Sequence, residues 1–168
     1  LERSVVDRVA EGRRVSIERE TFPQLAEEAV LYAAGGSTYW IDVGVPEQYL
    51  QAQTDLLSGI NPEPFNESGQ PGDAAVDPSA HVDPSVQVTL AAVGAGAVVE
   101  AGARLERAVL LPGARVERDA VVADSIVGEG AVVGAGATLR DVTVVGDGEK
   151  VAAGATLRGQ KVPDHDGS

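Results

Sequence analysis

Few residues of this chain are equipped for chemistry. Asp42 ends the run Thr38-Tyr39-Trp40-Ile41-Asp42-Val43, just ahead of Pro46. A carboxylate at such a place is a hard oxygen donor of the kind magnesium takes. It can equally cap the turn before the helix that Pro46 opens, and spacing alone leaves both roles open. His81 is the one candidate for an acyl-transfer base, a role that imidazole fills most often. It directly precedes Val82, which is expected to point inward, so its ring is expected to face solvent. His165, the other histidine, lies in a polar tail. Two histidines cannot supply a three-histidine zinc site within one chain. The chain has no cysteine, which excludes a thiolate metal site and a disulfide frame. Gly94-Ala95-Gly96 and Gly134-Ala135-Gly136 read as corner glycines of a repeat rather than as a phosphate cradle.

That repeat dominates the chain. Val or Leu recurs every six residues, occasionally every five, at Val76, Val82, Val88, Val93, Val99, Leu105, Leu110, Val116, Val122, Val127, Val133, Leu139, Val145, Val151 and Leu157. A period of six fits neither an amphipathic helix nor an alternating strand. It fits a parallel β-helix in which three hexapeptides close one triangular coil. The opening residue of each hexapeptide points inward. The residue four places later also faces inward and is usually small: Ala80, Ala92, Ala97, Ala103, Ala114, Ala120, Ala131, Ala137 and Ala155, with Val86, Val109, Ile126 and Thr143 as larger exceptions. Three places after the opening residue Gly is frequent, at corners that need its backbone freedom. The five-residue steps at Val88–Val93, Leu105–Leu110 and Val122–Val127 each shorten one corner per coil. Five coils stack into a prism about 24 Å tall. Asp147 is expected on its outer surface as a site tolerant of alanine. The pattern resembles the hexapeptide-repeat family, and that resemblance implies a left-handed winding.

Residues 1–60 have a different texture. Val5, Val6 and Val9 predict a short helix ended by Gly12, and Val15–Glu18 a strand. A helix is expected over Phe22–Ala29. Strands are expected at Val30–Ala33 and Thr38–Val43, on either side of Gly35-Gly36. Pro46 opens a helix that reaches Ser58, with Tyr49, Leu50, Gln53, Leu56 and Leu57 on one side, and Gly59 ends it. Residues 61–73, rich in Pro and Gly, read as a linker, 74–159 as the β-helix and 160–168 as a mobile tail. The expected fold is thus an α/β remnant followed by a parallel β-helix. Among 168 residues the net charge is −13, which speaks against nucleic acid and anionic membranes as partners. No apolar run is long enough to span a bilayer and no signal peptide opens the chain, so a cytoplasmic location is expected. The chain lacks Met and begins at Leu1, and residues 1–60 read as the end of a domain whose start lies upstream.

Two segments carry a second resemblance. Ser37-Thr38-Tyr39-Trp40-Ile41-Asp42-Val43-Gly44-Val45-Pro46-Glu47-Gln48-Tyr49-Leu50 resembles the Y-W-x-D-x-G-T-P-x-x-Y motif of sugar-1-phosphate nucleotidyltransferases. Ser16-Ile17-Glu18-Arg19-Glu20-Thr21-Phe22-Pro23 resembles the S-I-E-x-E-x-F-P segment of the mannose-1-phosphate guanylyltransferases among them. Both precede a hexapeptide tail in that family's order. The resemblance implies a sugar 1-phosphate and a nucleoside triphosphate as substrates, GDP-mannose as product and Mg2+ as cofactor, and the shared tail leaves glucose-1-phosphate adenylyl- and thymidylyltransferases open as alternatives. It implies that Asp42 is a metal ligand, that Trp40 packs beside the sugar and that Glu18 accepts hydrogen bonds from sugar hydroxyls. The plainer readings are a turn cap for Asp42, a core residue for Trp40 and an exposed strand carboxylate for Glu18. Val45 stands where the motif has Thr, which removes a hydroxyl cap from the following helix. The family's G-x-G-T-R-L nucleotide loop has no counterpart in these residues. The rival readings are a non-catalytic assembly module, self-associating through the β-helix, and an acyltransferase resting on His81.

Overall fold

A computed structural model describes residues 2–36, 39–60 and 74–163. The expected linker 61–73 and the Asp164-His165-Asp166 part of the tail lie outside the described residues. The chain forms two compact units, Leu1–Thr38 and Tyr39–Ser168. The first is short and helical. A 3-10 helix spans Arg3–Arg8, and Gly12 follows with φ +75°. One wide π-helical turn, Ile17–Thr21, runs straight into α1, Phe22–Glu27. The strand expected at Val15–Glu18 is therefore not formed. Ser16 caps the turn instead: its Oγ accepts the Arg19 N–H at 3.3 Å, and Glu20 Oε1 accepts the Ser16 N–H at 3.3 Å. This reciprocal exchange satisfies amides that a helix start leaves without partners. The strands expected at Val30–Ala33 and Thr38–Val43 are likewise absent among the described residues; 30–36 and 39–43 belong to no ladder. A strand is held by hydrogen bonds to another strand, and neither stretch is paired with one. Val30, Leu31 and Tyr32 stay exposed as a result.

The second unit holds the β-helix, fourteen short strands from Ala74–Val76 to Lys161–Val162 that pair in parallel. The architecture is a parallel β-helix of about five coils, consistent with the left-handed winding that the resemblance to the hexapeptide-repeat family implied. Residue Arg104 lies beside Val121, and Arg115 beside Val132, an offset of 17 residues. From Ser125, which lies beside Thr143, to Arg140, which lies beside Arg158, the offset is 18, and at Val144, beside Lys161, it is 17 again. The five-residue steps explain both numbers. Two steps of six and one of five make 17; where Leu139 to Val145 takes six, the coil has 18. The corner itself absorbs the difference. In the short corners one non-glycine residue takes a positive φ, Leu90 at +48°, Arg107 at +43° and Asp124 at +44°. The six-residue corner uses two, Asp141 at +57° and Val142 at +64°.

The interior follows the Val/Leu frame, with one correction. From Val93 to Val151 every residue of the frame is buried, whereas Val76, at the end of the stack, is 45% exposed. The corrected place is the short step. There the inward small residue lies two positions before the next frame residue, so Ala91, Ala108 and Ser125 face the core, not Ala92, Val109 and Ile126. Thr143 continues this column, as expected. The hydroxyls in it are paired: Ser125 Oγ donates to the Ala123 carbonyl at 2.7 Å and Thr143 Oγ1 to that of Arg140 at 2.7 Å. Ala92, Val109, Ile126 and Val144 form an apolar column on the outer side.

Carboxylates and hydroxyls bind the corners of successive coils. Ser79 Oγ donates to Asp77 at 2.6 Å and accepts the Gly96 N–H at 3.0 Å; Ser85, Asp83 and Gly102 repeat the arrangement. Asp147, expected to be a neutral surface site, accepts the Glu129 N–H at 2.7 Å from the coil below. Gly134 is needed for close approach, since a Cβ there would lie 2.6 Å from the Ala153 nitrogen. The strand Lys161–Val162 pairs with Val144–Val145, so the start of the expected tail is part of the stack.

Helix α2, Pro46–Leu57, packs on this β-helix although its position in the chain groups it with residues 1–60. Its apolar side is the expected one. Leu50 is buried, and Tyr49, Gln53, Leu56 and Leu57 border a groove completed by Ala92, Val109 and Leu111. The apolar outer column gives the helix a surface to cover.

Three substitutions measure this frame by thermal or urea unfolding. Val133→Asp, at a fully buried position, is expected to cost more than about 3 kcal/mol, because it buries an unpaired charge. Asp147→Ala should cost about 1 kcal/mol through the lost inter-coil acceptor. Lys150→Ala, on the exposed outer face, should stay within about 0.5 kcal/mol. Equal stability of the three variants would refute the assignment.

Candidate active site

The stretch ahead of α2 is extended and its burial alternates. Tyr39 and Ile41 are half-buried, while Trp40 and Asp42 are exposed, as side chains on opposite sides of an extended chain are. Trp40 and Asp42 are thus brought to one open side, with Trp40 81% exposed. Trp40 is therefore not a core residue here. Asp42 Oδ1 accepts the Gly44 N–H at 3.1 Å, the turn-capping role that spacing allowed. Val45 is the N-cap residue of α2 and supplies no side-chain hydrogen bond, as expected from the missing threonine hydroxyl.

The other face of this stretch is fastened. The Tyr39 hydroxyl donates to Asp55 Oδ2 at 2.7 Å, and Gln51 Nε2 donates to Asp55 Oδ1 at 2.7 Å. Ser58 Oγ donates to the Asp55 carbonyl at 3.3 Å. Asp55 is only 7% exposed, and both of its carboxylate oxygens are satisfied, as burial of a charge requires. Accepting that bond, Asp55 raises the Tyr39 phenol above its ordinary value; burial and the nearby negative charge push the same way. Sequence reasoning missed Tyr39 and Asp55. The available signal was Asp55 itself, a carboxylate between Leu50 and Leu56-Leu57 with Gln51 one helical turn before it.

Glu18 belongs to the first unit, exposed on the π-helical turn beside a shallow depression bordered by Arg14 and Arg19. His81 is exposed, as expected, on the strand His81–Val82 beside Val98. Among the described residues no group of three or more His, Asp or Glu gathers as a metal cage. A lone Asp42 is still compatible with magnesium, which commonly takes one or two protein carboxylates and completes its shell with phosphate and water oxygens.

Comparison with known proteins places these features. The GMPPB C-terminal domain family matches residues 71–166. A mannose-1-phosphate guanylyltransferase of Mycobacterium tuberculosis (strain ATCC 25618 / H37Rv) is 40% identical over 115 residues, 67% of this chain and 32% of that protein. A mannose-1-phosphate guanyltransferase of Yarrowia lipolytica is 41% identical over 87 residues, 48% of this chain and 24% of that one. The matches span about a third or less of these relatives' length. The acetyltransferase domain of PglB from Neisseria gonorrhoeae FA1090 aligns over 52% of this chain and 53% of its own, at 28% identity and a TM-score of 0.33, a likeness too weak to argue from.

The Tyr39 bond sets an alkaline limit. A phenol whose pKa is raised on folding contributes stability that is complete below its ordinary value near 10 and is lost as pH rises through the higher, folded one. Difference absorbance between the wild type and Tyr39→Phe should therefore show a tyrosine ionising above pH 10. Ionisation at or below pH 10 would remove the Asp55 bond.

Proposed function

The chain belongs to the GMPPB C-terminal domain family, and from that membership we propose that it is the C-terminal part of an enzyme making GDP-mannose from mannose 1-phosphate and GTP. The observation that carries the reading is the family match over 71–166, which follows the exposed Trp40–Asp42 face and α2 in the chain. A sugar-phosphate oxygen attacks the α-phosphorus of the triphosphate, the new P–O bond forms and pyrophosphate leaves. Asp42 would hold Mg2+, which when bound neutralises charge on the phosphates. Trp40 offers the sugar a flat apolar surface; for Glu18, acceptance of hydrogen bonds from sugar hydroxyls rests on its motif alone. Placement of the reactants supplies most of the remaining acceleration.

The chain on its own is inactive in this reading, because it holds no G-x-G-T-R-L nucleotide loop. Its stretches 30–36 and 39–43, outside any ladder and bearing exposed Val30, Tyr32 and Trp40, are edges that a larger α/β sheet would pair. The same reading puts the enzyme in the cytoplasm and gives the β-helix a role in self-association.

Isothermal titration of the chain alone with GTP should give no heat of binding. Micromolar affinity would reveal a nucleotide site in these residues and overturn the inactive-part reading. Joined to the N-terminal remainder of the enzyme, it should form GDP-mannose in Mg2+. Asp42→Asn should then lower kcat about a hundredfold, equivalent to about 2.7 kcal/mol of transition-state stabilisation. An unchanged rate would leave Asp42 a turn cap only.

A further inference from the structure

We propose that Asp55 is a positioning residue, whose buried carboxylate holds the Tyr39 hydroxyl and so fixes the Trp40–Asp42 stretch on α2 and through it on the β-helix. The inference rests on the reading of Asp42 as a magnesium ligand. Its basis is the imbalance between how little holds this stretch and how well this one bond is made. Residues 39–43 take part in no ladder. The Asp42 to Gly44 bond is local and cannot locate the stretch in space. The bond from Tyr39 reaches sixteen residues, to a helix seated on the β-helix.

The chemistry of the bond suits that task. A bond to an ionised carboxylate is stronger than one between neutral groups. A buried charge is costly unless it is paired, and Asp55 is buried. Gln51 occupies the other carboxylate oxygen and orients it. Tyr39 is held on one face, and Trp40 and Asp42 are thereby presented on the other. Outer partners that orient a metal ligand in this manner commonly set metal affinity within about 10–100-fold.

The test uses Tyr39→Phe, which removes one hydroxyl and keeps the ring, and Asp55→Asn, which keeps the shape and removes the charge. In the 168-residue chain, amide exchange over residues 40–44 should quicken about tenfold or more in either variant. The fluorescence anisotropy of Trp40, the sole tryptophan, should fall. Exchange at Val122 and Val133 should not change. The double variant should be no looser than either single one, since both break the same bond. Unchanged exchange in Tyr39→Phe overturns the proposal, and this variant keeps the test open even where Asp55→Asn fails to fold.

In the complete transferase, Tyr39→Phe should raise the Mg2+ concentration for half-maximal rate about tenfold or more. The KM for the sugar phosphate should rise as well, because Trp40 is loosened with Asp42, and turnover should recover when both Mg2+ and sugar phosphate are saturating. A loosened stretch with an unchanged Mg2+ requirement overturns the positioning role. If Asp42→Asn also leaves that requirement unchanged, the metal reading of Asp42 has failed, and amide exchange alone then decides whether Asp55 fixes the stretch.

Discussion

Each inner coil of the β-helix is hydrogen-bonded in register to the coil before it and the coil after it. Because strands are parallel and in register, each residue sits on its counterpart 17 or 18 positions away. A side chain that fits one coil must therefore fit between its own equivalents. Val116 between Val99 and Val133 satisfies this, as does Leu110 between Val93 and Val127. The core, the corners and the seat of α2 all follow from this one condition. At its ends the condition is met from one side only, and Val76 is accordingly open to solvent.

The same condition explains what could be read in advance. A stacked column repeats along the chain, so the Val/Leu frame was legible from Val76 to Leu157. The small inward column was legible only where steps were regular. At the short steps the omitted residue comes from the corner side of the frame, which moves the inward position by one. Ala92, Val109 and Ile126 then look like core residues but face outward. Their apolar character has its own cause, because α2 needs a surface.

Where no repeat exists, less was legible. Val15–Glu18 has strand-like composition, yet Ser16 and Glu20 cap a turn there, since no neighbouring strand competes for the backbone. Asp42 and Trp40 stood out through their motif. Asp55 carried only the signal of a carboxylate beside Gln51 and the leucines of its helix; its partner Tyr39 lies sixteen residues away, and nothing local announces that pairing. A bond between an extended stretch and a helix leaves no period in the sequence.

The two kinds of corner have an evolutionary consequence. A flat face cannot gain or lose a residue without turning its side chains inside out. The corner holding Leu90, Arg107 and Asp124 can, and at Asp141-Val142 it has accommodated one more residue while the interior stayed closed. A length change that keeps the interior closed is thus of two kinds, single residues at one edge of the prism or whole coils of 17 or 18. A whole coil would move everything beyond it by about 4.8 Å along the axis. The reach of the β-helix beyond the seat of α2 is therefore inherited in discrete increments, a ruler with fixed divisions rather than a tether of arbitrary length.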